Sequence, residues 1–294
     1  MAVAAERATP LAHAAAPPKR RPLWGRLSRS GITALVLLGI IVLAAIIGPR
    51  LWGQDPLAQN NVLRLTNPTP AHPLGTDKYG RDIFSRLLTG ARWSLTGAAI
   101  VCLCTSAIGF LIGAFAAMSS RRVDSVIGRL IESLLALPGI VMALALTAVL
   151  GSSFPNLLFA LIVTSWPSYA RIYRALILKE REAGYVESTR SLGASQGRIV
   201  FRHMIPNVIG PAAVLATANF GGVILGLASL SFLGLGMQPP TPEWGVMINE
   251  ARAYFQTYPW QMIAPGACIA LTVLAINLTG DSLRDLLDPR TLHR

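Results

Sequence analysis

The chain has 294 residues, of which 52% are hydrophobic and only 14% are charged. Soluble domains carry about 25% charged residues, and the apolar residues here form several runs close to the roughly 20 residues that cross a bilayer. The composition therefore excludes an ordinary soluble protein. The net charge of +12 does not indicate a nucleic-acid partner, because the basic residues lie between apolar runs and not in one soluble domain.

The first predicted elements are a tail and a membrane span. Residues 1–28 are rich in Ala, Pro and Arg without apolar periodicity, which predicts a disordered tail. The apolar run that follows predicts a helix at about 31–51. It exceeds the apolar core of a cleaved signal peptide, which has about 7–15 residues. We therefore expect an uncleaved first helix and an outer polar loop over residues 29–90.

Five further apolar runs follow, separated by polar segments. Residues 52–90 and 235–260 contain several prolines, and residues 171–206 are too charged to cross a membrane. The sequence thus predicts an all-α integral membrane protein with six transmembrane helices. Five of them form a core over 91–281, and a polar cytoplasmic tail follows over 282–294. The five later spans are predicted at about 94–117, 131–150 (interrupted by Pro138), 156–170, 207–232 and 261–280.

The distribution of basic residues predicts the orientation. Six spans put both termini on the same side of the membrane. If that side is the cytoplasm, only seven of the 26 Lys and Arg residues lie outside. Cytoplasmic segments carry an excess of Lys and Arg, so we expect cytoplasmic termini. The seven outer residues are Arg50, Arg64, Lys78, Arg81, Arg86, Arg92 and Arg252.

The span centres carry almost no ionisable groups, which argues against an ion-coupled carrier. Glu132 and Asp281 lie near predicted span ends. A nucleotide-binding P-loop needs a Gly-Lys pair, and none of Lys19, Lys78 and Lys179 follows a glycine. The histidines and cysteines show no metal-ligand spacing. We therefore predict no catalytic residue, no metal and no cofactor bound by this chain, so energy for transport must come from another subunit.

The cytoplasmic segment from Tyr185 to Asn207 is predicted to form two short helices joined at Gly193. Glycine adopts the positive φ that such a turn requires, and Pro206 suits the first turn of the next helix. With nothing in the chain predicted to cover it, the apolar face of the second helix suggests a partner surface. That face carries Ile199, Val200, His203 and Met204.

This segment resembles the EAA loop of ABC importer permeases. In that pattern Glu-Ala-Ala is followed by three residues, Gly, nine residues and Ile-x-Leu-Pro. The Glu, Gly and Pro fall at matching spacings here, whereas Ser and Thr replace the two alanines, and His and Ile replace Ile and Leu. The resemblance implies docking of this loop into a groove on a separate ATP-binding subunit. The implied coupling residues are Glu187, Ser188, Thr189, Gly193, His203 and Pro206.

Three further stretches are similar to the peptide and nickel permeases, and within them to the C-type subunit of dipeptide and oligopeptide importers. These stretches are residues 72–95, 231–250 and 280–290. The resemblance implies a type I ABC importer permease fold. It also implies a non-enzymatic subunit that translocates di- or oligopeptides across the bacterial cytoplasmic membrane.

The resemblance further implies the partners. We expect a heterodimer with a second homologous permease in the lipid bilayer, and an extracytoplasmic solute-binding protein. Either two ATP-binding subunits or one fused ATPase chain would hold the ATP and Mg. Because the binding protein often selects the solute, nickel or another non-peptide solute stays an alternative. An ion-coupled carrier or channel, or an integral membrane enzyme, would need polar clusters that the spans lack.

The outer loops contain polar residues whose role the sequence leaves open. The resemblance implies that these loops meet the binding protein or line the entrance. The residues alone favour turns and a solvated local ion network. The candidates are Asp77, Gly80, Arg81, Asp82, Glu243 and Trp244.

Overall fold

The computed structural model describes residues 29–287, which are mainly helical. The predicted tail over 1–28 and the last residues of the predicted C-terminal tail lie outside the described residues. Short 3₁₀ turns occur at Asn61–Leu63 and Arg252–Tyr254, and a π turn at Val200–Met204. The α-helices are α1 (Arg29–Trp52), α2 (Ile83–Met118), α3 (Arg121–Leu135), α4 (Gly139–Leu150), α5 (Phe154–Arg181), α6 (Gly184–Ser191), α7 (Gln196–Ile199), α8 (Ile205–Phe232), α9 (Trp244–Ala251) and α10 (Trp260–Leu287).

Four helical stretches among residues 29–287 are long and apolar enough to cross a membrane. They are α1, α2, the stretch from α7 through α8, and α10, and they confirm the first, second, fifth and sixth predicted spans. Helix α2 begins well before its predicted start near 94. Asp82 sets this start, because its carboxylate accepts a hydrogen bond from the Ser85 amide at 2.7 Å and so caps the helix.

The predicted interruption of the third span at Pro138 is a sharp bend between two separate helices. The chain bends by 81° between α3 and α4, because Pro138 lacks an amide hydrogen and disfavours helical geometry at the residue before it. Helix α4 has 12 residues, which extend about 18 Å against a hydrocarbon layer of about 30 Å. The bent pair, in which α3 replaces a predicted polar loop, therefore occupies the place of the third span.

Helix α5 continues beyond the predicted end of the fourth span near 170. Its 28 residues reach about 42 Å, and its C-terminal part carries Arg171, Arg174 and Lys179. Hydropathy alone therefore does not identify α5 as a span, and among residues 29–287 it supports four spans, or five with the bent pair. The length of α5 and its packing along α2 place it beside the other spans.

Helices α2 and α5 form the most extensive helix contact among residues 29–287. A Cβ atom added at Gly109 would lie 2.5 Å from Cβ of Tyr169, and one added at Gly113 would lie 2.7 Å from the Ala170 carbonyl oxygen. Only glycine permits this approach. Ser106 and Tyr173 add a hydroxyl–hydroxyl hydrogen bond of 2.6 Å. These two glycines therefore serve packing within the chain.

Gly222 and Gly226 of α8, which are four residues apart like Gly109 and Gly113, behave differently. A Cβ atom at Gly222 would meet no atom of the described residues within 4 Å, and one at Gly226 would meet only Leu161, at 3.6 Å. The glycine that permits close packing is Gly221, where an added Cβ would lie 3.1 Å from Asn277 on α10. The contact between α8 and α10 therefore depends on a glycine outside the four-residue spacing.

A buried charge network joins the outer loop before α2 to α9. Arg81 and Arg86 are 1% and 2% exposed. Arg81 donates to Asp77 at 2.6 Å and to Glu250 at 2.9 Å, and Arg86 donates to Glu250 at 2.6 Å. The expected solvated ion network is thus a buried one, because α9 covers it. It fixes the outer loop to the helices.

Replacing Glu250 with Gln is expected to destabilise this outer region. The variant leaves Arg81 and Arg86 buried with only Asp77 to balance their charge, and breaking a buried ion pair costs about 3–5 kcal/mol. Thermal unfolding of the detergent-purified protein should show a clear loss of stability. The exposed Arg252→Gln serves as the control. Equal melting of the two variants would contradict the structural role of the network.

Candidate functional site

The segment between α5 and α8, residues 182–204, forms an elbow at the predicted cytoplasmic end of the helices. Its two helical parts, α6 and α7, are joined at Gly193, whose φ of +80° confirms the predicted left-handed turn. The Gly193 amide donates to the Arg190 carbonyl at 3.0 Å, and the Ala194 amide donates to the Thr189 carbonyl at 3.3 Å. These bonds end α6 in the manner of a glycine C-cap.

The apolar face of the elbow is covered by this chain itself, so the prediction that nothing in the chain covers it is wrong. Ile199, Val200 and Met204 are buried in one cluster with Ala117 of α2 and Ile177 of α5. The cover exists because α5 continues as a helix past the predicted end of its span. His203, predicted on the same face, is only half-buried. The predicted apolar face therefore holds the elbow against the helix ends.

The outward surface of the elbow carries residues that the periodicity of the sequence did not single out. Leu192 is 88% exposed and Phe201 is 75% exposed. Leu192 directly follows α6 and Phe201 lies in the π turn. A large apolar residue away from the predicted apolar face is the signal that could have identified each of them. Glu187 and Ser188 are exposed on the same segment. A partner would thus meet a small polar surface with two large apolar side chains.

The substitution of Ser188 and Thr189 for alanines has a local explanation. The Ser188 hydroxyl donates to the Gly184 carbonyl at 2.9 Å, and the Thr189 hydroxyl donates to the Tyr185 carbonyl at 2.7 Å. Each hydroxyl proton is therefore used within α6. The two side chains remain small and need no donor partner on an opposing surface.

Pro206 lies in the first turn of α8, as predicted. It has no amide hydrogen to donate to the Arg202 carbonyl, and its ring crowds that carbonyl. The preceding turn, Val200–Met204, widens into a π turn in which the Ile205 amide donates to the Val200 carbonyl. The helix from α7 into α8 is thus continuous, but its hydrogen-bond register changes at the π turn.

Polar contacts tie the elbow to α5 and α8. The Tyr185 hydroxyl donates to the Glu180 carboxylate, and the Asn207 side-chain amide donates to the Tyr185 oxygen at 3.1 Å. Desolvation and the Glu180 carboxylate raise the pKa of Tyr185, which keeps the phenol protonated as a donor. Nearby, Arg181 donates to the Ala117 carbonyl at 2.8 Å. These bonds restrict movement of α6 relative to the spans.

The outer candidates Gly80 and Asp82 have structural contacts. Gly80 has a φ of +71°, and an added Cβ would lie 1.8 Å from the Asn60 carbonyl oxygen. The Asp82 carboxylate accepts hydrogen bonds from the Trp52 indole at 3.0 Å and contacts the His72 ring nitrogen at 2.9 Å. These residues fold the outer loop around the start of α2.

The outer candidates Glu243 and Trp244 are buried at the start of α9. Glu243 caps α9 by accepting from the Val246 amide at 3.1 Å, and it accepts from the Ser94 hydroxyl at 2.8 Å. Burial raises the pKa of Glu243, although the hydrogen bonds from its neighbours oppose the rise. The Trp244 indole donates to the Leu87 carbonyl at 3.1 Å. Both residues anchor α9 on α2.

Within residues 29–287 no group of three or more His, Cys, Asp or Glu side chains is arranged to hold a metal ion. The polar candidates instead separate into two places. The elbow brings together Glu187, Ser188 and Gly193, and the outer loops hold the charge network. The structure therefore has an exposed elbow at one end and a buried scaffold at the other.

Comparison with known proteins gives a consistent result. Residues 109–293 match the family described as binding-protein-dependent transport system inner membrane component. The chain is 38% identical to the dipeptide transport system permease protein DppC of Alkalihalophilus pseudofirmus, over 90% of this chain and 86% of the relative. It is 40% identical to the di/tripeptide transport system permease protein DppC of Pseudomonas aeruginosa, over 90% and 89%.

Two further similarities extend this picture. The glutathione transport system permease protein GsiD of Pectobacterium atrosepticum is 41% identical, over 92% of this chain and 91% of the relative. Among solved structures, an inward-facing MetNI methionine ABC transporter chain aligns with a TM-score of 0.55 and 16% identity. The alignment covers 71% of this chain and 96% of that one. The structural match supports the type I permease fold.

Replacing Ile199 with Ala is expected to loosen the elbow locally. Truncating a buried isoleucine costs about 2–5 kcal/mol, so amides of residues 184–204 should exchange faster by hydrogen–deuterium exchange. The matched variant Phe201→Ala, in the same segment but 75% exposed, should leave exchange near that of the parent. Faster exchange only in Phe201→Ala would show that the elbow is held by its other face.

Proposed function

The chain belongs to the family of binding-protein-dependent transport system inner membrane components, and from that premise we propose that it is a permease subunit of a peptide importer. A chain of this family is a transport subunit and is not itself catalytic. The observation that carries the proposal is identity of 38% to 41% with permeases of dipeptide, di/tripeptide and glutathione systems, over about nine-tenths of the chain.

The elbow is the proposed docking surface for an ATP-binding subunit. Leu192 and Phe201 project from it, and burying a large apolar side chain contributes about 1.5–3 kcal/mol. Apolar residues that become buried inside a polar rim are the usual arrangement of a protein interface. The residues at the positions of the EAA-loop pattern would complete the surface. They are Glu187, Ser188, Thr189, Gly193, His203 and Pro206.

The elbow is also placed to transmit movement to the membrane. Val186 of α6 and Ile199 of α7 are buried in one cluster with Ala117 of α2, and α7 continues through the π turn into α8. A displacement of α6 by a partner would therefore act on α8 directly, because interdigitated side chains transmit strain. This mechanical continuity supports a coupling role.

The remaining parts of the proposal concern the assembly. A second permease would complete the path, and separate or fused ATPase chains would hold ATP and Mg. The outer loops would face an extracytoplasmic solute-binding protein. With the elbow facing ATP-binding subunits in the cytoplasm, both termini of this chain are cytoplasmic and the membrane is the bacterial cytoplasmic membrane.

Uptake by the complete reconstituted importer tests the solute class. We expect ATP-dependent accumulation of labelled di- or oligopeptides that requires the binding protein. Accumulation of nickel, with none of peptide, would replace the peptide assignment. Transport by this chain alone in liposomes, without ATP, would overturn the importer assignment altogether.

Variants of Gly193, in the turn between α6 and α7, test the coupling role of the elbow. A Cβ atom at Gly193 would meet no atom of the described residues within 4 Å, so substitution there changes only backbone strain. A left-handed conformation costs about 1–2 kcal/mol for an ordinary residue, and Asn tolerates it best. Gly193→Val should therefore reduce ATP-driven uptake several-fold, and Gly193→Asn should retain most of it.

Substitutions of Leu192 give a second matched pair of variants. Leu192→Glu should abolish assembly with the ATP-binding subunit, whereas Leu192→Met should preserve it, because Met supplies a similar apolar side chain. Pull-down of the ATP-binding subunit and membrane insertion are measured together. Full assembly of Leu192→Glu would remove Leu192 from the docking surface.

A further inference from the structure

A groove of about 520 Å³ opens between α1, α2, α8 and α10. Helix α2 contacts α1 and α8, and α10 contacts the same two helices, so the four helices surround the groove. Its walls are almost wholly apolar. The lining includes Val42, Arg92, Thr96, Ala99, Thr217 and Thr279.

The threonines of the groove have already used their donors. Thr217 donates to the Val214 carbonyl at 2.9 Å, Thr279 donates to the Ala275 carbonyl at 2.7 Å, and Thr96 donates to the Arg92 carbonyl. A peptide backbone in this groove would leave its carbonyl groups without donors along the walls, which is costly. A hydrocarbon chain has no such groups. The walls therefore favour an acyl chain.

Arg92 is the one charged residue that lines the groove. Its guanidinium forms no hydrogen bond or ion pair with any residue in 29–287, and the side chain is exposed. An arginine next to apolar membrane helices requires an anionic partner or water. Its planar fork binds phosphate oxygens in pairs. Charge complementarity thus points to a phosphate group at the end of the groove that Arg92 lines.

The direction of the groove fits a lipid. An added Cβ at Gly48 would lie 2.9 Å from Leu88, so the outer end of α1 meets α2 one turn before Arg92. At the other end, an added Cβ at Gly280 would lie 3.0 Å from Thr217, deeper along α8 and α10. The charged end is therefore near the outer boundary, and the apolar part extends toward the centre of the membrane.

We propose that this groove binds one phospholipid of the outer leaflet, with its phosphate at Arg92 and one acyl chain between α1 and α2. The inference concerns a lipid site and does not depend on which solute is carried. A helix of the second permease is the competing occupant. That helix would need its own acidic residue opposite Arg92.

Photo-crosslinking in the complete importer tests the site. The complex is placed in nanodiscs of phosphatidylcholine with a phosphatidylglycerol probe that carries a diazirine in the acyl chain. Mass spectrometry should locate adducts on α1 and α2 beside the groove. Arg92→Gln should lower labelling there by roughly tenfold, because a charge-assisted pair is lost. Arg50→Gln, at the exposed outer end of α1, is the matched control and should label like the parent.

A second variant tests binding of the acyl chain independently of the charge of Arg92. Ala99→Phe fills the groove and leaves Arg92 unchanged, so it should also lower labelling. Equal labelling of all variants would overturn the proposal. A crosslink from Val42→Cys to the second permease would overturn it as well, by making the groove a subunit interface. ATP-driven peptide uptake is measured in the same samples, so failure of the lipid site is distinguished from failure of the importer assignment.

Discussion

The close approach of α2 and α5 is the constraint on which the rest of the structure depends. Gly109 and Gly113 let the two backbones meet with no intervening side chain. Because both helices are long, they stay paired as far as their C-terminal ends, which supply Ala117 of α2 and Ile177 of α5 to the elbow cluster. The surface that receives the elbow thus follows from packing inside the membrane.

The polar groups of the chain are divided by depth. At the outer end, Arg81, Arg86 and Glu250 form a buried network that fixes the loop before α2 to α9. At the elbow, the polar residues of α6 remain at the surface. The apolar helices between them carry little charge. Arg92 departs from this division, which is why it points to an external anion.

The elbow shows how a departure from a family pattern is accommodated. Ser188 and Thr189 replace alanines, yet their hydroxyl protons are satisfied within α6, so the surface stays compact. Pro206 widens the turn before α8 because it removes one hydrogen bond. The elbow therefore stays joined to α8 by a continuous helix whose hydrogen-bond register changes at the π turn. Docking at Leu192 would act on α8 through that continuity.

Local patterns in the sequence determined the apolar helices, the turn at Gly193 and the helix start at Pro206, because hydropathy, positive φ and a missing amide are properties of single residues and short runs. The family resemblance of residues 185–207 is likewise local. Tertiary structure alone decided the extension of α5 and the burial of Ile199. Which face of the elbow is covered depends on two helices distant in sequence, and periodicity measures amphipathicity without identifying the neighbour that covers it.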